Sequence, residues 1–281
     1  MSAAAASPRH ALTIALLLPG LVVVVLVALV FGAYPLAISD ALAALMAGPG
    51  VGGEAGTVVW NLRLPRIMAG LFVGMALSVA GAAYQGMFRN PLVSPDILGV
   101  SAGAGLGAAI AILHGLPLTV VQACAFGGGL LAVGATYALG ATVGGGRTST
   151  VIILAGVAVA AFFSAIQTFV QQRFDDSLLA VYTWILGCLS TNGWSDIVTI
   201  APYVVLSWVV LLLHRRVLDV LALGDVEAAS LGINVPRVRL VLVLTATLGT
   251  TAVVSVSGLI GFVGIVVPHA MRLIFGSSYR L

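Results

Sequence analysis

Ser101 lies in Gly99-Val100-Ser101-Ala102-Gly103, which matches by letter the Gly-x-Ser-x-Gly turn that exposes the nucleophile of many serine hydrolases. That elbow needs a strand before it, a helix after it, a base and an oxyanion hole. Here an apolar helix begun at Pro95 surrounds the serine, and a candidate base, His269, stands beside Pro268 at the end of an apolar run. An intramembrane serine hydrolase is therefore the remotest reading. Phosphate binding through Gly-x-x-x-x-Gly-Lys-Ser/Thr is ruled out, because all 12 basic residues are arginine. Cys124 and Cys188 belong to no Cys-x-x-Cys or Cys/His cluster, so neither a disulfide nor a metal site is expected. What remains is charge. Arg215, Arg216, Asp219, Asp225, Glu227, Arg237 and Arg239 crowd into residues 215–239, in a chain with 12 basic and 9 acidic residues altogether. The centre of this segment, Leu223-Gly224-Asp225-Val226-Glu227-Ala228-Ala229-Ser230-Leu231-Gly232, alternates apolar and polar residues and predicts a short helix with glycine stops. A soluble partner would meet the chain here; a merely solvated loop is the plain alternative.

The elements that must position these groups follow from hydropathy. Hydrophobic residues make up 60% of the 281, which is too many for a chain that covers itself with polar surface. A net charge of +3 gives no basic patch for nucleic acid. The fold class is all-α, a polytopic membrane helical bundle. A crossing needs about 20 apolar residues, and charge-free runs place eight spans near 11–33, 65–88, 97–113, 117–141, 150–172, 197–214, 239–256 and 258–275. His114-Gly115-Leu116-Pro117 divides a long uncharged run into two. The stretch 177–195, with Tyr182, Trp184 and Trp194, suits an interfacial helix. The apolar run after Arg9 is too long for a signal-peptide core and reads as a retained first span.

With the N-terminus cytoplasmic, Arg9, Arg89, Arg147, Arg215, Arg216, Arg237, Arg239, Arg272 and Arg280 fall inside, and only Arg63, Arg66 and Arg173 fall outside, as the positive-inside rule requires. No expected span carries Asp, Glu, Lys or Arg away from its ends, which disfavours an ion-coupled secondary transporter, the main alternative class. Gly70/Gly74 and Gly99/Gly103/Gly107 permit close helix packing. Ser78-Val79-x-Gly81 and Ser255-Val256-x-Gly258, each followed by a proline (Pro91, Pro268), hint at an inverted repeat. Ser94-Pro95-Asp96 predicts a helix N-cap, proline at the first helical position and an acid in the first turn.

Several motifs then agree with one family. Arg89-Asn90-Pro91-Leu92-Val93-Ser94-Pro95-Asp96-Ile97-Leu98-Gly99 is joined by Arg63-Leu64-Pro65-Arg66, Leu154-Ala155-Gly156, Leu223-Gly224 with Ala228 and Leu231-Gly232, and Gly261-Phe262-Val263-Gly264 before Val267-Pro268-His269 and Arg272. From about residue 60 onward the chain resembles the permease subunits of ABC importers for iron chelates, haem and vitamin B12.

The resemblance implies a single transmembrane permease domain over residues 1–281, with 215–239 as a cytoplasmic coupling loop. Leu223, Gly224, Asp225, Glu227, Ala228, Leu231 and Gly232 would contact an ATPase subunit. Arg63 and Arg66, stiffened by Pro65, would dock a substrate-binding protein. Asn90, Pro91 and Leu92, with Thr148, Ser149 and Thr150, would form cytoplasmic gates. The chain itself would be no enzyme and bind no cofactor; ATP and Mg would sit on two ATPase subunits. The remaining partners are a second permease copy, a periplasmic or lipid-anchored binding protein and the bacterial inner membrane. A ferric siderophore is the first expected substrate, with haem and cobalamin as alternatives. The family has ten spans, so a chain with eight reads as one truncated at its C-terminus.

Overall fold

The computed structural model describes residues 8–50, 53–142, 149–173, 178–190 and 192–276, all helix, turn or loop, with no strand among them. They divide into two compact units, one drawn from residues up to 71 together with 190–197, the other from 72–189 together with 198 onward.

In the first unit α1 spans Pro8–Val30 and α2 spans Ile38–Ala47. A short α3, Glu54–Thr57, runs through a π-helical turn, Val58–Arg63, into α4, Leu64–Phe88. The helix is thus continuous from Glu54 to Phe88, 35 residues, beginning well before the expected span at 65. Pro65 explains the wide turn. Its ring would clash with the carbonyl one α-turn back, and it has no N–H to offer. Widening to π spacing lets the Leu64 N–H reach Val59 O, and the next carbonyl, Trp60 O, which in that register would face the missing N–H of Pro65, accepts the Trp194 indole N–H at 2.8 Å instead. Trp60 in turn donates its indole N–H to Ala44 O at 2.9 Å. Leu29, Ala41, Ala44 and Val59 are buried together beneath these bonds.

In the second unit α4 ends at Phe88, and a 3₁₀ turn, Pro95–Leu98, leads into α5, Val100–Leu113. The expected N-cap at Ser94 is not made: its hydroxyl donates to Asp96 Oδ2 at 3.3 Å instead of accepting a backbone N–H. The 3₁₀ turn ends at Gly99 in the left-handed region, φ 86°, which only glycine enters freely, so the helix starts at Val100 rather than Ile97. Next come α6, Leu118–Thr142, and α7, Ser149–Gln171. A Cβ at Gly103 would overlap Gly128 O, one at Gly107 would overlap Cys124 O, and one at Gly156 would overlap Ile97 O. These glycines bring backbones into contact, the packing available where apolar burial gives helices no drive to associate. Gly74 does not: nothing lies within 4 Å of a Cβ there.

The stretch expected at the interface forms α8, Leu178–Ile185, too short to cross. Beyond α9, Trp194–Leu213, two short helices, α10 (Arg215–Leu223) and α11 (Asp225–Ser230), precede α12, Val235–Ser257, the most enclosed of the five helices that, among the described residues, are long and apolar enough to cross a membrane. The last, α13, covers Val263–Phe275 and starts later than 258 because Gly258 (φ 69°) and Phe262 (φ 65°) both turn left-handed. At 14 and 13 residues, α5 and α13 fall short of a full crossing on their own.

Pro268 lies inside α13 and leaves Gly264 O without its intrahelical donor. Gln85 of α4 supplies one, its Nε2 donating to Gly264 O at 3.3 Å, while Gln85 Oε1 accepts from the Arg272 guanidinium. Gly81 permits the approach, because a Cβ there would overlap Gly264 O. Close by in the same unit, the buried Tyr84 hydroxyl shares a 2.9 Å hydrogen bond with Thr247 of α12.

Gly103→Leu should drive a side chain into the Gly128 carbonyl and lower the unfolding midpoint in detergent by the equivalent of about 1–3 kcal/mol. Gly74→Ala, which meets open space, should leave that midpoint unchanged within about 0.5 kcal/mol.

Candidate functional site

The charged segment 215–239 resolves into α10, α11 and the first turn of α12, with glycine at each break. Gly224 has φ 154° and Gly232 φ 81°, conformations that side chains disfavour. α10 is amphipathic: Leu218 and Leu221 are buried, whereas Leu223 projects outward. α11 repeats the pattern over one and a half turns, with Ala228 buried and Val226 and Leu231 exposed. Asn234 caps α12, its side-chain oxygen accepting the Arg237 N–H at 3.2 Å, and Pro236 occupies the first turn.

One ion pair fixes this arrangement. Arg239 Nη2 donates to both oxygens of Asp225, at 2.8 and 3.0 Å. The guanidinium is 3% exposed and the carboxylate 35%. Asp225 sits in the first turn of α11, where a helix N-terminus favours an anion. Arg239 sits in the opening turns of α12, where a cation is disfavoured, so its partner matters all the more. Removing one member of such a pair typically costs about 3–5 kcal/mol, because the other charge is left buried. Asp225 and Arg239 also border a cleft completed by Ala229, Ile233, Asn234, Val235 and Pro236. Together these features make a platform that presents Leu223, Val226 and Leu231 among charged residues.

The turn after α4 is built locally. Arg89 N–H and Asn90 N–H return to Gly86 O and Gln85 O, closing the helix. Asn90 Oδ1 accepts the Leu92 N–H at 3.0 Å, an Asx turn that holds Pro91 and leaves Leu92 exposed. Met87, Phe88 and Val93, on either side of the turn, lie in one buried cluster with Leu218, Leu221, Ala228 and Val235. The fold therefore brings the Asn90–Leu92 turn and the 223–232 segment onto one core. Thr150, in the first turn of α7, is exposed; Thr148 lies outside the described residues, as does the side chain of Ser149.

The two arginines expected to dock a partner part company. Arg66 is exposed and donates to Ser190 O at 3.1 Å. Arg63 is only 7% exposed, and its guanidinium donates to Leu29 O, Val30 O and Tyr34 O around the C-terminal end of α1. The reason is electrostatic: the last carbonyls of a helix lack intrahelical donors and carry the negative end of its dipole. Gly32 keeps the path open, since a Cβ there would stand 3.0 Å from Arg63 Nη2. Arg63 is thus held in this structure as a clasp on the end of α1.

The Ser101 hydroxyl donates a hydrogen bond to Asp96 Oδ1 from the first turn of α5, and a 3₁₀ turn rather than a strand precedes it, so the hydrolase elbow is not formed. Sequence reasoning missed Gln85 and Tyr84. A polar side chain four residues past Gly81, in a run otherwise apolar, was the available signal for Gln85; Tyr84 gave none.

Residues 20–281 match the FecCD transport family. The cobalamin import system permease protein BtuC of Halobacterium salinarum is 40% identical over 233 residues, which cover 83% of this chain and 63% of that protein, so the chain spans under two thirds of that relative. The Fe(3+) dicitrate transport system permease protein FecD of Escherichia coli is 37% identical over 82% of this chain and 71% of its own length. The hemin transport system permease protein HmuU of Yersinia pestis is 35% identical over 79% and 68%. A metal-chelate type ABC transporter solved in an inward-facing conformation superposes with a TM-score of 0.83 at 27% identity, over 94% of this chain and 82% of that one. Motifs, helices and relatives agree from the middle of α1 onward: the chain belongs to the FecCD transport family.

Proposed function

We propose that this chain is the membrane-spanning permease subunit of a binding-protein-dependent ABC importer, which moves an iron chelate, haem or cobalamin into the cytoplasm by ATP-driven alternating access. One observation carries the reading: the most charged segment of an otherwise apolar chain folds as two short helices, pinned beneath by the Asp225–Arg239 pair, with Leu223, Val226 and Leu231 left uncovered. A surface of that kind suits the cleft of an ATPase subunit. The relatives, whose names span cobalamin, Fe(3+) dicitrate and hemin, support the substrate class.

In this reading eight segments cross the bacterial inner membrane with the N-terminus cytoplasmic, and two permease copies pair with two ATPase subunits that hold ATP and Mg. Nucleotide binding displaces the platform at 223–232. Movement passes through the shared core to the Asn90-Pro91-Leu92 turn, and with it to the Thr148-Ser149-Thr150 segment, which open and close the inner end of the pathway in alternation. Chemistry stays on the ATPase, and this chain supplies binding surfaces and motion. The binding protein docks on the outer side of the membrane, where the exposed Arg66 would steer an acidic partner.

Proteoliposomes holding the permease with its ATPase, supplied with the binding protein and substrate, test this directly. Uptake should require ATP on the ATPase side and persist when the proton gradient is collapsed; uptake that follows the gradient without ATP would make the chain a secondary transporter. Asp225→Asn should lower the detergent unfolding midpoint and cut uptake at least tenfold, with Asp225→Glu retaining most of both. Arg66→Glu should weaken binding-protein docking about tenfold at low salt, equivalent to ~1.4 kcal/mol, and less at high salt. Arg63→Gln should instead lower the yield of folded protein and leave the docking affinity of the surviving fraction unchanged.

A further inference from the structure

Arg89 has a backbone φ of 51°, in the left-handed region. At ten other described positions with positive φ the chain has glycine, and apart from Arg89 only Phe262 is an exception. A side chain in this conformation brings its Cβ against the backbone, and the position just past a helix end is where glycine is ordinarily found. Glycine would close α4 through the same two bonds, Arg89 N–H to Gly86 O and Asn90 N–H to Gln85 O, without that cost. A strained conformation retained at such a place points to the side chain as its reason.

That side chain leaves its own helix. Arg89 Nη1 lies 3.5 Å from the point where a Cβ on Gly224 would stand, and the Glu227 carboxylate occupies the same point. A guanidinium from the end of α4 and a carboxylate from α11 therefore converge on the glycine that separates α10 from α11. Gly224 makes room for both by having no side chain. Beneath them the residues flanking the Asn90–Leu92 turn and the α10–α11 segment share one buried cluster, so Arg89 reaches from one part to another over a common core. Arg89 and Glu227 are both exposed. They approach Gly224 without closing a direct ion pair, and water screens their attraction, so it adds little to stability and acts on position instead.

We propose that Arg89 is a positioning residue that tethers the Asn90-Pro91-Leu92 turn to the platform at Gly224 and Glu227, so that displacement of the platform reaches the turn through this side chain. The inference rests on the reading of 223–232 as the ATPase contact and of Asn90–Leu92 as a gate.

Arg89→Gly separates tether from fold, because glycine relieves the backbone and removes only the guanidinium. In the reconstituted importer its unfolding midpoint should equal or exceed that of the wild type, while substrate moved per ATP hydrolysed falls at least tenfold. Arg89→Lys should keep most of the coupling. Arg89→Glu should fall as far as Arg89→Gly, and Arg89→Glu combined with Glu227→Arg should recover at least threefold over Arg89→Glu alone. A wild-type ratio in Arg89→Gly, or no recovery in the double variant, overturns the proposal. A second measurement needs no transport: spin labels at Leu92 and Val226, with Cys124 and Cys188 replaced by serine, report the distance from turn to platform in the full chain in nanodiscs. A distribution that broadens in Arg89→Gly and not in Arg89→Lys supports the tether; the same distribution in all three overturns it. Should the wild-type assembly fail to take up substrate with ATP, the importer reading falls while the label distances still decide the tether.

Discussion

A proline inside a helix leaves a carbonyl without its amide donor, and in a bilayer no water stands by to supply one. Much of this structure is arranged around that deficit. The Pro65 register leaves Trp60 O to the Trp194 indole, and Pro268 leaves Gly264 O to the Gln85 amide. Both repairs use a side chain remote in sequence, so each one also stitches helices together. Gln85 is further committed, because its carbonyl end receives Arg272 and its orientation is then settled at both ends. The glycines at 81 and 264 belong to the same solution, since an amide reaches a helix backbone only where the two chains approach closely.

Charge is handled by a parallel rule. The three arginines drawn inward each find oxygen: Arg63 at the carbonyls closing α1, Arg239 at Asp225, and Arg272 at Gln85. None is left to lipid, where an unpaired cation is expensive. Elsewhere around the end of α4 and the α10–α11 segment, arginines such as Arg89 stay at the surface, where an aqueous partner can meet them. The same chemistry thus yields a fixed interior and an addressable edge.

Most of the helical layout was legible because apolar runs cannot hide. Each of the eight expected segments contains a helix, and Gly224 and Gly232 announced the two breaks in the charged segment. What was not legible depends on partners distant in sequence. Nothing local to Arg63 says that the end of α1 will come to it, so an arginine beside a proline at a helix start looked like a docking residue for another protein. The continuation of α4 back to Glu54 was obscured by Pro65, which reads as a beginning and is instead absorbed by a π turn. Helix starts at 97 and 258 were drawn too early, because left-handed Gly99 and Phe262 depend on packing that hydropathy does not record. The echo between Ser78-Val79-x-Gly81 and Ser255-Val256-x-Gly258 extends to backbone contact, as Gly81 meets Gly264 O and Gly258 meets Trp184 O. It fails at the prolines: Pro91 lies in a turn and Pro268 inside a helix.

The bond between Gln85 and Gly264 also dictates an order of events during synthesis. Ribosomes deliver the N-terminal part first, so α4 enters the membrane when its eventual partner, nearly 180 residues further on, has not yet been translated. Until then the amide must be sheltered by provisional neighbours, within the insertion machinery or among the helices already released. Its final acceptor arrives only with α13, which makes the seam between the two helices a late clasp on the bundle, fastened after α5 through α12 have emerged.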